Sequence, residues 1–223
     1  MNNSKYKRTY HFSFSPEIHS DDKVQFNISS LIGKEIVITE KGDGGNTGMN
    51  YLNLYGRTHA VPTNCSTFDY IKAVHFYPKK DKFNKDYMYF GENMYAIHSI
   101  KYTNLKDYFY LFNIQNKDVM LSFDAMLEEA KRLNFKTVPV VFRGIIKTEK
   151  ELKEFLEKEI KKESYWGGEI EGFVVRIVEE FKIADFSKKV VKYVRKGHVQ
   201  SDKHWKQNWK KQELAKWQTF LKN

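Results

Sequence analysis

The sequence predicts an α+β domain built of antiparallel β-sheets flanked by helices. Three observations carry this expectation. Short runs rich in β-branched and aromatic residues recur along the chain, two clear amphipathic helical patterns interrupt them, and the two kinds of segment follow none of the strand–helix–strand rhythm of a doubly wound parallel sheet.

The strand-like runs are 35–40, 53–58, 95–100, 108–114, 138–142, 173–178 and 190–195, most of them expected to pair antiparallel. One helix follows Ser122 and places Met126, Ala130 and Leu133 on one face. A second starts at Thr148 with Glu151 three residues on, a capping box whose side chains satisfy first-turn amides, and buries Leu152, Phe155, Leu156 and Ile160. A third, polar and tryptophan-bearing, is expected from about 202 to 221, with Leu214, Trp217 and Leu221 on one stripe.

The 223 residues suffice for one large domain with a buried core. No internal repeat or low-complexity linker divides them, so residues 1–223 read as a single domain and a monomer, with 196–223 as a basic, helical C-terminal extension. A composition 41% hydrophobic and 30% charged excludes a disordered chain, and no apolar run approaches the length that crosses a bilayer. The first residues carry no apolar core behind their positive charges, and the single cysteine, Cys65, cannot form an internal disulfide; both favour a reducing cytoplasm.

The formal net charge of +10 is concentrated near the end. From 182 to 223, eleven lysines and one arginine face Asp185, Asp202 and Glu213. Such a block attracts a polyanion by releasing its counterions, although a solvated basic face has the same composition. Tyr193, Trp205, Trp209 and Trp217 stand among these lysines, where rings can stack on unpaired bases or turn into the core.

The sharpest local feature is Glu40-Lys41-Gly42-Asp43-Gly44-Gly45-Asn46, at the end of the strand 35–40. A lysine on a rigid strand beside a glycine-rich turn is placed to act as a nucleophile, because the turn lets backbone approach a ligand. Attack requires a neutral amine, which desolvation or a neighbouring positive charge promotes by lowering the pKa. Taken alone, so short a segment fits an ordinary charged turn better than a nucleophile site.

Five further segments follow in order: Tyr55-Gly56-Arg57-Thr58, Phe90-Gly91-Glu92, Tyr108-Phe109-Tyr110-Leu111-Phe112-Asn113-Ile114, Glu171-Gly172-Phe173-Val174-Val175-Arg176 and Val190-Val191-Lys192-Tyr193-Val194-Arg195. The series resembles motifs I, Ia, III, IIIa, IV and V of the covalent nucleotidyltransferases, the superfamily of DNA ligases, RNA ligases and mRNA capping enzymes. The resemblance implies a nucleotidyltransferase fold in which Lys41 forms a lysyl-AMP adduct from ATP. Glu40 would lie beside the adenine edge, Asn46 near the ribose or phosphate, Arg57 at a phosphate and Glu92 at the ribose hydroxyls. Phe112 would stack on the adenine. Glu171 would hold the divalent metal, Mg²⁺ or Mn²⁺, which prefers oxygen ligands and bridges substrate phosphates. The seven histidines are scattered, and no His/Cys zinc spacing competes.

The last motif departs from the pattern. The family shows two lysines one residue apart, so that both face one side of a strand, but Val194 stands two after Lys192. Lys192 matches the first lysine; Lys189 or Arg195 would supply the second cation. Only 28 residues follow Arg195, too few for the OB-fold that DNA ligases and capping enzymes append. The tail, with Lys192 to Gln200 and His204-Trp205, resembles RNA ligases of phage and bacterial type. An ATP-dependent RNA ligase acting on RNA with 5′-phosphate and 3′-hydroxyl ends is therefore the expectation. A compact DNA ligase is the alternative, and a nucleic-acid-binding module with an inactive nucleotide site is the alternative of a different class.

Overall fold

The structure is a computed structural model and describes residues 4–57, 63–197 and 209–215. Two β-sheets form the body. The first has the order Val140–Ile145, Glu35–Lys41, Gly172–Ile177, Val190–Val194, Tyr10–Phe12, Val24–Gln25. Its first four strands pair antiparallel, and the last two join in parallel. The second runs Phe181–Lys182, Val119–Met120, Phe109–Asn116, Tyr87–Asn93, Gly45–Met49, Leu54–Gly56, with Lys136–Thr137 alongside Phe109–Asn116.

Strand alternation decides which residues face where. Ile36, Ile38, Phe173, Val175, Val191 and Tyr193 pack on Leu152 and Leu156 of the helix Glu149–Glu159. The intervening Val37 packs instead with the second sheet's residues, around Leu111 and Ile114. The residues next in phase, Thr39, Lys41, Val174 and Lys192, open onto a cavity that the second sheet closes from the other side. The helix Phe123–Arg132 packs on that sheet through Phe123, Met126 and Ala130.

Both capped helices form where the sequence places them. Ser122 Oγ accepts from the Ala125 amide, and Thr148 Oγ1 accepts from the Glu151 amide. The Glu151 carboxylate reaches back to the Lys147 amide, one residue beyond the expected box.

The reading of the elements needs correction in four places. The run 138–142 shifts to Val140–Ile145. Tyr87–Asn93 and Gly45–Met49 are strands that composition hides, the second because Gly-Asn-Thr-Gly-Met has little strand preference and is held by partners on both edges. The run 95–100 is no strand. It is an irregular segment joined to 209–215 by the bridge between Ala96 and Lys211. The fourth correction concerns the expected helix 202–221. Residues 209–215 are extended, with Leu214 bridging to Leu105, and Gln212 is buried; the rest of that helix, with Trp205, Trp217 and Leu221, lies outside the described residues. Tyr193 is a core residue, so its ring is not free to stack on a base, and Trp209 is half-buried against Tyr95. Among the described residues, no helix is long and apolar enough to cross a membrane.

Candidate active site

Lys41 is the last residue of its strand, and Gly42 to Gly44 carry the chain from the first sheet to the second. The glycines serve close packing here. A Cβ on Gly44 would lie 2.5 Å from the Asn93 carbonyl oxygen, and one on Gly42 would meet the Met94 sulfur at 2.9 Å. Asp43 is an anchor between them. Its Oδ2 accepts from the amides of Ser99 and Ile100, each at 2.7 Å, and from the Ser99 hydroxyl at 2.8 Å.

The lysine points into a cavity of about 440 Å³ lined by both sheets, within the usual range for a small-molecule site. Lys41 Nζ donates to Glu171 Oε1 at 2.6 Å; the Lys41 side chain is 20% exposed and that of Glu171 1%. Register explains the pair, because Gly172 lies opposite Lys41 and delivers the preceding Glu171 beside it. Gly172 must be a glycine, since a Cβ there would fall 2.1 Å from the Tyr193 carbonyl oxygen. Thr39, Val174 and Lys192 form one cross-strand row along the floor. From the second sheet come Asn46 and Glu92, directly paired, with Phe112 and Asn113. Arg57 completes the rim from the exposed side.

The electrostatics reverse one expectation. Burial would lower the Lys41 pKa, but the charges of Glu171, Glu92 and Asp43 outweigh it and hold the ammonium above the ordinary lysine value. In this arrangement the lysine is protonated. Burial, with Glu171 and Asp43 close by, pushes the Glu92 carboxyl up to about 8 against the pull of Lys41. Burial and the charge of Lys41 bring Lys192 down to about 8.

Family comparison agrees with this geometry. A family model described as RNA ligase matches residues 34–194. The chain belongs to the RNA ligase family. A search of curated proteins returns no match. Among solved structures, a Naegleria gruberi RNA ligase variant with ATP and Mn is similar with a TM-score of 0.60 and 16% identity, over 86% of this chain and 56% of that one. The same organism's RNA ligase with PPi gives 0.56 and 18%, over 92% and 64%. An Aquifex aeolicus protein provisionally assigned as an ATP-dependent DNA ligase gives 0.55 and 19%, over 86% and 50%. This RNA ligase family member thus spans less than two thirds of each of these chains, and at such identities the likeness is one of fold.

Most of the residues singled out from the sequence do converge. Lys41, Asn46, Arg57, Glu92, Phe112 and Lys192 line one cavity, and Glu171 touches Lys41 from beneath. Glu40 borders the cavity, but its carboxylate accepts from the Ser164 hydroxyl at 2.6 Å and the Tyr165 amide at 2.8 Å, tying down that loop. Lys189 and Arg195 do not line it. Lys189 ends the short helix Phe186–Lys189, half-buried, and Arg195 donates to Glu169 at 2.6 Å.

Three groups escaped sequence reading. Residues 5–9 form a cavity wall. In that wall Tyr6 packs edge-on to Phe112 at 5.0 Å, and its hydroxyl accepts from Asn113 at 2.7 Å. Arg176 is buried beside it, bonded to the Asn113 side chain and the Leu121 carbonyl, and burial lowers its pKa to about 10. His11 and Asp22 stand behind Lys192. The only signal for the first group was the density of basic and aromatic residues in Lys5-Tyr6-Lys7-Arg8.

Proposed function

We propose that this chain is an ATP-dependent RNA ligase that joins RNA 5′-phosphate and 3′-hydroxyl ends through a lysyl-AMP intermediate. The observation that carries this reading is Lys41 at the base of a nucleotide-sized cavity, paired with Glu171 and faced by Glu92 and Lys192, in a chain of the RNA ligase family.

The Nζ lone pair of Lys41 forms a bond to the α-phosphorus of ATP as the bridging P–O bond breaks and pyrophosphate leaves. AMP then passes to an RNA 5′-phosphate, and a 3′-hydroxyl displaces it to close the phosphodiester. Each step is a displacement at phosphorus, which proteins assist by positioning and charge neutralisation. Glu92 binds the sugar, Asn46 the sugar or a phosphate, Phe112 the base, Arg57 and Lys192 phosphates.

Among the described residues, no group of three or more His, Cys, Asp or Glu side chains forms a ready metal cage. The carboxylates present suit Mg²⁺ or Mn²⁺ of the kind that arrives with phosphates and keeps most of its waters. Glu171 would hold such an ion, which would supply charge neutralisation at the phosphates. If Glu171 held such an ion, its charge would favour the Lys41 ammonium less; attack requires the neutral amine, its proton passing to solvent.

The test is incubation with labelled ATP or GTP, followed by denaturing gels and a sealing panel of nicked RNA, single-stranded RNA and nicked DNA. Lys41→Ala is expected to abolish the acid-labile protein–AMP adduct while leaving the thermal transition in place. An adduct of undiminished yield in that variant overturns the reading; preferential sealing of nicked DNA replaces RNA ligase with DNA ligase.

A further inference from the structure

Val194 leaves the last motif with one lysine, and neither Lys189 nor Arg195 reaches the cavity. The fold brings another cation there. The strand Tyr10–Phe12 pairs in parallel with Val190–Val194, setting His11 opposite Lys192, and residues 5–9 before it run along the cavity wall. Arg8 and Lys192 both line that wall, and both approach one oxygen, Oδ1 of Asp22: Arg8 Nη2 at 3.4 Å and Lys192 Nζ at 3.8 Å.

Asp22 is itself fixed from behind. Its Oδ2 accepts from the His19 amide at 3.0 Å, and Oδ1 lies 3.2 Å from His11 Nε2. Burial holds the His11 imidazole down at about 4, so it is neutral near pH 7 and adds no third charge. The second partner of Arg8, Asp21 at 3.0 Å, is 80% exposed and screened by water. Two cations thus share one half-buried carboxylate at distances longer than the roughly 2.7–2.9 Å of a strong charge-assisted bond. An arriving phosphate can take both.

We propose that Arg8 is the second phosphate-binding cation of this site, gripping with Lys192 the β- and γ-phosphates of ATP, while Asp22 is the positioning residue that holds the two together beforehand. The inference rests on the lysyl-AMP reading above. The β- and γ-phosphates are favoured because Lys41 must face the α-phosphorus, which leaves the flanking cations to the group beyond it. As the α–β bridging bond breaks, its electron pair departs on pyrophosphate, and the guanidinium and ammonium neutralise the charge that accumulates there. The planar fork of an arginine suits two phosphate oxygens at once.

The experiment compares lysyl-AMP formation from ATP with sealing of RNA already carrying a 5′-AMP, a substrate without β- and γ-phosphates. Arg8→Ala is expected to raise KM for ATP on the order of tenfold or more, to weaken pyrophosphate-driven reversal alike, and to leave sealing of adenylylated RNA unchanged. Arg8→Lys recovers part of the loss. Asp21→Asn, which removes only the exposed pair, leaves all three reactions as they were. An unchanged KM in Arg8→Ala overturns the proposal, as does equal loss in ATP-driven and pre-adenylylated reactions. Loss confined to AMP transfer onto 5′-phosphate RNA overturns it too, by assigning Arg8 to the RNA end. Absence of any adduct in the unaltered protein is a different result: it sinks the ligase reading itself.

Discussion

Lys41 keeps its proton in this arrangement because carboxylates surround it, and the closest, Glu171, is shielded from bulk solvent. Removing that carboxylate lowers the lysine pKa, so Glu171→Gln is expected to move the midpoint of the pH–rate profile for single-turnover adenylylation to lower pH, even as the loss of a metal-holding carboxylate lowers the rate itself. A midpoint that stays put means that Glu171 does not set the proton. Glu92 gives the opposite kind of pH effect. Its folded pKa of about 8 lies above the ordinary 4.5, so its contribution to stability is complete below pH 4.5 and is lost as pH rises through 8. Glu92→Gln is therefore expected to melt higher than the unaltered protein at pH 8, by a few kcal/mol at most, and the gap should close toward pH 4.5. Calorimetry at the two pH values checks this.

At the level of single elements, the site depends on strands that touch more closely than side chains permit. Gly172 sits opposite both Lys41 and Val194, with no room for a methyl group against the Tyr193 carbonyl. Backbone cannot yield as a flexible side chain does. Gly172→Ala is expected to cost on the order of 1–3 kcal/mol, or roughly 2–4 °C of Tm per kcal/mol for a chain of this size. It should also slow adenylylation by displacing Glu171, read from melting curves and adduct yield together. A variant with wild-type stability and yield would show the strands free to separate. The two capped helices were legible because capping and amphipathic spacing are local. Gly45–Met49 was not, because its conformation comes from its neighbours.

Across the whole molecule, residues 209–215 are tied to the catalytic end through several contacts, Gln212 among them. Gln212 accepts from the Tyr102 amide and donates to the Ile100 carbonyl, while the Ile100 amide and the Tyr102 hydroxyl hold Asp43, two residues from Lys41. Gln212→Ala leaves buried partners unpaired at about 1–3 kcal/mol each. It is expected to lower both Tm and adduct yield without changing the salt dependence of RNA binding, because no charge is removed. Loss of RNA affinity with intact adenylylation would instead make the segment a separate binding arm.

The order of six short segments, each tied to its own strand or turn, determined the family and the residues of the cavity, because such motifs are local and keep their spacing however the chain folds. Lys41, Asn46, Arg57, Glu92, Phe112, Glu171 and Lys192 could all be read that way. The tertiary structure alone decided the rest. A parallel strand pairing brings Arg8 and Asp22 to Lys192 from more than 160 residues away in sequence, and burial among carboxylates makes Lys41 a protonated lysine at rest. Neither the pairing nor the shared field of three carboxylates is a property of any segment, so neither could be read before the sheets were assembled.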